Sequence, residues 1–232
     1  ATMFAELDAL GIETFRCGIA ICKDQEMEVW SVGVTTEGKM VQGVGTLDIY
    51  LHPLWELFYK QWSHNEEFLY YFLKDKEKED YVRIIKNTTS YQLTDKKINF
   101  PDLHFQSYFF SEGGIFSFSI HAHTEEEKWV MKRFAKVFAL TYKRYEDLKL
   151  AEAQAREAQI EAALERVRSK AMAMHNSSDL PSTAIIAFSE LKKLGFVPIR
   201  GGISIQNKEN RKNLLYSATT TEQGDNLSIV GW

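Results

Sequence analysis

Residues 4–21, FAELDALGIETFRCGIAI, are repeated as residues 188–205, FSELKKLGFVPIRGGISI. The two stretches align without a gap at an offset of 184, and nine of their eighteen positions are identical. After one extra loop residue the match resumes, with Thr35-Thr36-Glu37 facing Thr220-Thr221-Glu222. A repeat at a fixed offset indicates two copies of one structural module.

The two copies differ in length, and this sets the predicted domains. The first copy occupies residues 1–145, the second occupies 178–232, and residues 146–177 connect them. The second copy is predicted to open with a helix near Ser178–Pro181, with a serine cap and a proline in its first turn. The matching start of the first copy would fall about five residues before Ala1. The chain is therefore expected to be a piece of a longer protein.

The second copy is expected to be incomplete and marginally stable on its own. Its roughly 55 residues predict an opening helix and a hairpin, without the further strands and helices that would cover the sheet. The apolar sides of Ile199–Ile205 and Leu214–Ser217 are then expected to rest on a second chain.

The first module is predicted to be α+β, with one antiparallel sheet flanked by helices. Hydrophobic periodicity and turn residues predict helices closed by Gly11, opened by His52-Pro53 and spanning Asp75–Asn87. The predicted strands are Arg16–Cys22, Met27–Val34, Val44–Leu51, a short buried strand Phe68–Leu73, His104–Ser111 and Ile115–His121. Thr88–Pro101 is predicted to be a polar loop, and Glu112–Gly114 a turn with glycine backbone freedom.

Composition and charge limit the class of protein. Of the 232 residues, 44% are hydrophobic and 26% are charged, which is typical of a folded soluble chain. A net charge of −4 disfavours nucleic-acid binding driven by overall charge. The longest apolar run, Phe68–Leu73, is far shorter than the ~20 residues of a membrane span, so no direct membrane contact is expected.

The cysteines and the amino-terminal residues indicate a cytoplasmic location. Cys17 and Cys22 are five residues apart on one strand, which places them on opposite faces and predicts no disulfide between them. The amino terminus lacks the basic and apolar regions of a secretory signal. The expected compartment is therefore reducing.

The chain has no motif typical of catalysis. It contains neither the GxxxxGK[ST] and GxGxxG phosphate loops nor the GxSxG nucleophile turn. His121 and His123 alternate on a predicted strand, but two ligands alone make a poor zinc site. The sequence predicts no enzyme activity, no metal and no cofactor for this fragment.

The first module is rich in aromatic residues, and two interpretations remain open. One is a packed core with some exposed tyrosines. The other is a mostly apolar pocket for a small ligand of unknown identity, oriented by Arg16 or a tyrosine hydroxyl. The candidate pocket residues are Arg16, Trp30, Trp55, Tyr59, Tyr71 and Phe109. Arg16 recurs as Arg200, which also fits a structural salt bridge.

A long helix is predicted from Glu125 to His175, a span of 51 residues without proline or glycine. It opens with a capping box, Thr124-Glu125-Glu126-Glu127, and His175 is interpreted as a residue of its far end. From Leu150 onward, apolar residues recur at the 3.5-residue spacing of a coiled coil, interrupted by Glu157. The predicted seam of a parallel homodimer is Leu150, Ala153, Ile160, Leu164, Val167, Ala171 and Met174. Such a helix is not stable alone in water, so it needs a second chain or a module folded back on it.

The stretches FFSEGGIFSFS (109–119) and EEEKWVMKRFAKVFALTYKRYEDLKLAEAQAREAQIEAALERVRSKAMAMHNSSDL (125–180) resemble a segment of Bacteroidetes-type two-component sensor proteins. In these proteins GAF-like sensory domains are joined by a signalling helix upstream of a histidine kinase core. The resemblance implies a GAF-like fold for each repeat, homodimerisation, and a kinase core downstream in the parent chain. This sequence has no phosphoacceptor box and no ATP-binding boxes, so no residue is assigned to a kinase activity.

The leading functional hypothesis is a regulatory module of a two-component phosphorelay. It would sense a small ligand or a neighbouring domain and relay the signal through a dimeric helix. The alternative is a structural dimerisation spacer that binds no ligand, and an independent enzyme is disfavoured by the missing motifs.

Overall fold

The computed structural model describes residues 2–35, 37–95, 100–196, 200–207, 209, 212–221 and 224–231. Contacts divide the chain into two compact units, Ala1–Arg144 and Tyr145–Trp232. The first unit is α+β with one antiparallel sheet, which confirms the predicted class.

The first unit is built around a seven-stranded sheet with helices on both faces. Its helices are α1 (Thr2–Ala9), α2 (Pro53–Ser63), α3 (Asp75–Asn87) and the beginning of α4 (Glu125–Met172). Its strands are β1 (Arg16–Lys23), β2 (Glu26–Val34), β3 (Met40–Asp48), β4 (Phe68–Leu73), β5 (Tyr91–Leu93), β6 (Leu103–Phe110) and β7 (Gly113–Ser119). The strand order is β4-β6-β7-β1-β2-β3-β5, and all neighbouring strands are antiparallel.

Two predicted segments around β3 need correction. The strand predicted at Val44–Leu51 ends at Asp48, because the Asp48 side chain accepts a hydrogen bond from the Tyr50 N–H at 2.8 Å and starts a 3-10 turn. The loop predicted at Thr88–Pro101 contains β5, which pairs with β3 at the edge of the sheet. Residues 96–99 of that loop lie outside the described residues.

Two predictions in the other half of the sheet, toward the edge formed by β4, were also wrong. The strand β4 is an edge strand rather than a buried one, with Tyr70 45% and Phe72 37% exposed. The turn before β7 consists of Ser111 and Glu112, and Gly113 belongs to the strand. A Cβ on Gly113 would collide with the Ala20 carbonyl oxygen, so glycine is needed there for close strand approach.

The sheet separates two hydrophobic cores. The core beneath α2 and α3 contains Cys22, whereas the core beneath α1 and α4 contains Cys17. Because successive strand residues point to opposite faces, the odd spacing of the two cysteines separates them. Both are free thiols, which confirms that they do not form a disulfide.

The predicted capping box opens α4. The Thr124 N–H donates to the Glu127 carboxylate at 2.6 Å, and the Glu127 N–H donates to the Thr124 hydroxyl at 3.3 Å. These reciprocal bonds satisfy backbone donors that the first turn leaves unpaired. The helix then continues for 48 residues to Met172, three residues short of the predicted end.

The second unit contains the end of α4, a second helix and a three-stranded sheet. Its further elements are α5 (Leu180–Lys193), β8 (Arg200–Asn207), β9 (Lys212–Thr221) and β10 (Gly224–Gly231), with strand order β10-β9-β8. The sequence predicted a helix and a hairpin in this unit, and it did not predict the third strand, β10. The expected Pro181 lies in the first turn of α5, but the residue that caps the helix is Asp179, which forms no side-chain cap bond.

One face of this smaller sheet is covered by α5 of the same chain. The helix packs on all three strands, and a Cβ on Gly201 would lie 2.7 Å from the Phe188 ring. Further along the predicted apolar side, Ile205 and Leu214 remain 40% and 38% exposed. Ile199 lies outside the described residues. The expectation that this sheet face needs a second chain was therefore wrong where α5 covers it.

The two repeats end their opening helices with the same backbone geometry. Gly11 has φ 74° and Gly195 has φ 86°, a left-handed conformation that favours glycine. The Ile12 N–H donates to the Leu7 carbonyl at 2.9 Å, and the equivalent bond at the end of α5 measures 3.1 Å. This six-residue closure is the Schellman type of helix end, and its recurrence supports the interpretation of one module present twice.

The hairpins that follow the two helix ends share a pairing register. Gly18 lies opposite Ser31, and Gly202 lies opposite Ser217. The connection in the second hairpin is therefore two residues longer than that in the first, whereas the sequence predicted one extra residue. A Cβ on either glycine would collide with a carbonyl oxygen of the facing strand, which explains why both copies carry glycine there. Thr36 and Glu222, which belong to the resumed match, lie outside the described residues.

Candidate functional site

The six candidate pocket residues do not converge on one cavity. Trp55 and Phe109 both contact Phe58, with ring centroids 5.8 and 5.0 Å apart. Trp30 lies on the opposite face of the sheet, in a groove of about 240 Å³ beside α1, and is 41% exposed. Arg16 lies in a third place, at the start of β1.

The two tyrosines of the candidate set have local partners. The Tyr59 ring, on α2, lies 5.5 Å from the ring of Trp62. The Tyr71 hydroxyl donates a hydrogen bond to the Glu77 carboxylate on α3. Burial and this nearby carboxylate both raise the pKa of Tyr71, so its hydroxyl stays protonated.

The aromatic side chains beneath α2 and α3 form a packed core. The Trp55 ring, 1% exposed, lies 5.7 Å from the rings of both Phe105 and Phe116, in edge-to-face arrangements. Such arrangements are the favoured packing of buried aromatic rings. For Trp55 and Phe109, the packed-core interpretation therefore explains the positions.

A buried guanidinium lies at one end of this core. Arg16 is 5% exposed, and its guanidinium carbon lies 6.0 Å from the centre of the Phe100 ring. No residue in the described part of the chain accepts a hydrogen bond from the Arg16 side chain or forms an ion pair with it. The salt bridge that the sequence left open for Arg16 is therefore not formed there. Its repeat counterpart, Arg200, is exposed.

The cavity at Arg16, which we call the Arg16 cavity, has mostly aromatic walls. Its walls are packed closely enough to leave no room for a water molecule. Burial raises the pKa of the Tyr81 phenol, so its hydroxyl stays neutral and can act as a donor. The walls are Phe15, Arg16, Tyr81, Phe100, Leu103 and Phe118. One cation, one hydroxyl and apolar rings are the chemistry that this cavity offers.

A buried polar network joins the sheet to the start of α4. The ring nitrogens of His123 form hydrogen bonds with the Tyr108 hydroxyl at 2.8 Å (Nδ1) and the Ser117 hydroxyl at 3.2 Å (Nε2). The His123 N–H donates to the Gln106 side-chain oxygen at 2.9 Å. Burial lowers the pKa of His123 to about 4, so the ring is neutral at neutral pH.

Sequence reasoning missed this network. It treated His121 and His123 as alternate residues of a strand, but β7 ends at Ser119 and only His123 is buried. A histidine directly before a capping box was the available signal. Nowhere in the described ranges do three or more His, Cys, Asp or Glu side chains form a group that could hold a metal ion.

The predicted dimer seam is divided by α5. Arg166 of α4 forms an ion pair with Glu190 of α5 at 2.6 Å, and Arg156 donates to the Leu194 carbonyl at 2.5 Å. Ala163, between these two arginines, is 3% exposed. The seam residues with half-buried side chains are Ile160, Val167, Ala171 and Met174. One side of the predicted seam therefore faces α5 of the same chain.

The other side of the seam remains open. Leu150 is 59% exposed and Leu164 is 49% exposed, and Ala153 is exposed as well. His175 follows the end of α4 as expected, and its N–H donates to the Asp179 carboxylate at 3.0 Å.

Comparisons with known proteins add no identification. No family model matches this chain, and neither a curated protein nor a solved structure matches it. None of the helices in the described part is long and apolar enough to cross a membrane.

Proposed function

We propose that this chain is the regulatory region of a dimeric, cytoplasmic two-component sensor, in which a GAF-like module passes a signal along α4. The observation that carries the proposal is the continuous 48-residue helix, which starts in the core of the first unit and ends in the second. A helix that belongs to two units can transmit a displacement of one to the other. The resemblance of residues 109–180 to two-component sensors points in the same direction.

The start of α4 is part of the first unit's core. Met131 is fully buried and Ala135 is 3% exposed, in the same cluster as Leu7 and Tyr108. Because protein cores are closely packed, a shift of the sheet forces a shift of these helix residues. The His123 network, directly before the helix, adds a second rigid connection.

The open side of the seam favours a partner helix. Leu150 and Leu164 are two heptads apart on α4 and are both about half exposed or more. In the proposed dimer they pack against their counterparts in a parallel second copy, as the a positions of a coiled coil. With α5 beside the helix and Glu157 between the two leucines, the pairing is weak. Two helix packings that differ by only a few kcal/mol can then exchange when a ligand binds.

A structural spacer without ligand is the second candidate function. It is favoured by the packed aromatic core around Trp55, which occupies the space between the sheet and α2. Such a spacer would still form a dimer through α4. Both candidates therefore predict a dimer, and a monomeric chain would contradict both. Ligand binding distinguishes the sensor from the spacer.

Leu164→Asp tests the dimer. A charge in an apolar seam is costly, so we expect a marked loss of association, roughly tenfold or more, with the first unit still folded. Sedimentation equilibrium measures the association, and circular dichroism checks the fold. Ala158→Asp adds the same charge at an exposed position outside the seam, and we expect it to leave association unchanged. A monomeric wild-type chain at high micromolar concentration, or equal association of both variants, would refute the proposal.

A further inference from the structure

We infer that the Arg16 cavity binds a small organic carboxylate, held by the Arg16 guanidinium and the Tyr81 hydroxyl among aromatic rings. The inference rests on the proposed function, in which the first module senses a ligand. It names the chemical class of that ligand and the residues that recognise it.

No described residue meets the hydrogen-bonding capacity of the Arg16 side chain. A guanidinium carries five N–H donors and stays charged at every physiological pH. Arg16 is 5% exposed, and no oxygen in the described ranges accepts from its side chain. Its contact with Phe100 is a cation–π interaction at 6.0 Å, which supplies no hydrogen-bond acceptor. An oxyanion would supply the missing acceptor.

The charge of the cavity fits a monoanion. Arg16 is the single cation among the cavity's lining residues. A carboxylate matches the two parallel N–H groups of a guanidinium and has one negative charge. A phosphate dianion would leave one charge uncompensated in an apolar enclosure, which is unfavourable.

The wall of the cavity is mostly apolar. The rings of Phe15 and Phe100 lie 5.4 Å apart, and Phe118 lies 5.7 Å from Tyr81. These rings and Leu103 present apolar surface to the body of a ligand, while the neutral Tyr81 hydroxyl adds one more donor. A carboxylate attached to a small apolar or aromatic group fits this combination better than a bare ion.

The close packing of the cavity walls links binding to the rest of the core. Because the walls leave no room for a water molecule, a ligand must displace wall rings as it enters. Phe118 contacts Phe105 at 4.9 Å, and Phe105 in turn contacts Trp55 at 5.7 Å. Carboxylate binding should therefore change the near-ultraviolet circular dichroism of the buried aromatic residues.

The repeat supplies a matched control. Arg200 occupies the position of Arg16 in the second copy and is exposed. Arg16→Met and Arg200→Met therefore remove the same charge from equivalent sequence positions. Any effect of net charge alone appears in both variants, whereas the loss of a specific site appears in Arg16→Met only.

The experiment is a titration of the wild-type chain, Arg16→Met and Arg200→Met with sodium benzoate and sodium acetate at constant ionic strength. Calorimetry and near-ultraviolet circular dichroism report binding. We expect benzoate to bind more tightly than acetate, and Arg16→Met to weaken benzoate about tenfold or more, the effect of losing a charged hydrogen-bond partner. Arg200→Met is expected to stay within about twofold of the wild type.

Several results would overturn the inference. The first is that neither carboxylate binds at millimolar concentration. The second is that benzoate binds all three proteins with equal affinity. The third is that sodium phosphate and sodium chloride produce the same response as benzoate. Arg16→Lys keeps the charge without the planar fork and covers the case in which Arg16→Met does not fold; a folded Arg16→Lys with wild-type benzoate affinity also counts against the site. A wild-type dimer that binds no carboxylate refutes this inference alone, whereas a monomer that binds benzoate through Arg16 refutes only the proposed dimer.

Discussion

The two repeats begin with the same helix end and the same hairpin, yet their sheets are covered differently. In the first repeat α1 has eight residues and packs mainly on β1; in the second α5 has 14 residues and packs on three strands. Trp30 and Tyr216 occupy equivalent places in the two hairpins, opposite Ile19 and Ile203. Trp30 is 41% exposed, whereas Tyr216 is 5% exposed. The repeated residues thus determine the local geometry of both hairpins, whereas the burial of the equivalent aromatic residue differs between them.

A second difference lies on the opposite face of each sheet. The first repeat continues into α2, α3 and the strands β4, β6 and β7, which complete a core on both faces. Within the described residues of the second unit, the sheet has three strands and α5 on one face. The stability of the second repeat should therefore depend much more strongly on its single helix–sheet contact.

Replacing the phenylalanine that both opening helices share tests this dependence, and we expect the largest effect here. Phe188 is 2% exposed and packs on the sheet at Gly201, whereas Phe4 is half-buried. Phe188→Ala should destabilise the second unit by about 3–5 kcal/mol, the usual cost for a buried aromatic residue. Phe4→Ala should cost clearly less. Hydrogen exchange of the amides in β8 and β9, compared with those in β1 and β2, measures both effects, and equal costs would contradict the difference between the repeats.

The His123 network tests the strands that only the first repeat has. The pKa of His123 is about 4 in the folded chain and about 6.5 when unfolded, so the unfolded state binds more protons between these values. The stability of the first unit should therefore rise with pH from about 4 to 6.5, by at most about 1.4 kcal/mol per pH unit from this group. Above pH 6.5 the histidine should add no further pH dependence.

His123→Gln should remove this slope, because glutamine does not titrate. His121→Gln, at an exposed neighbouring position, should keep it. Urea unfolding of the first unit at a series of pH values gives the slopes. Because carboxylates of the first unit also titrate near pH 4, the comparison is made between pH 5 and 6.5. A slope in that range that is the same in the wild type and in His123→Gln would show that the network does not hold a neutral histidine.

The features that could be predicted from sequence are those set by residues close together in the chain. The left-handed Gly11 and Gly195, the first hairpin and the Thr124–Glu127 capping box each depend on a few neighbouring residues. Helical periodicity likewise predicted α4 to within three residues of its end.

The features that could not be predicted depend on contacts between distant segments. The His123 network needs Gln106 and Tyr108 from β6, and the surroundings of Arg16 include Tyr81 from the distant helix α3. The heptad pattern of α4 identified an apolar stripe, but the stripe alone does not show that α5 of the same chain contacts α4 beside it.

The smallest expected effect concerns a glutamate that both opening helices share. The Glu190 carboxylate, 6% exposed, accepts hydrogen bonds from Arg166 at 2.6 Å and Lys193 at 2.7 Å. These bonds lower the pKa of Glu190 to about 2. Glu6, its counterpart on α1, is exposed and forms no ion pair with any residue that the structure describes.

Glu190→Gln should therefore weaken the second unit at neutral pH, while Glu6→Gln should leave the first unit unchanged. The wild-type carboxylate has a lower pKa folded than unfolded, where it is about 4.5, so its contribution is complete above pH 4.5 and is lost as the pH falls toward 2. Since Arg166 is 52% exposed, salt should screen part of the interaction. Unfolding of both variants near pH 7 and pH 2.5, at low and high salt, measures the difference. If Glu190→Gln weakens the second unit equally at both pH values, α5 is not held on α4 by this ion pair, and the burial of its apolar face alone must account for the contact.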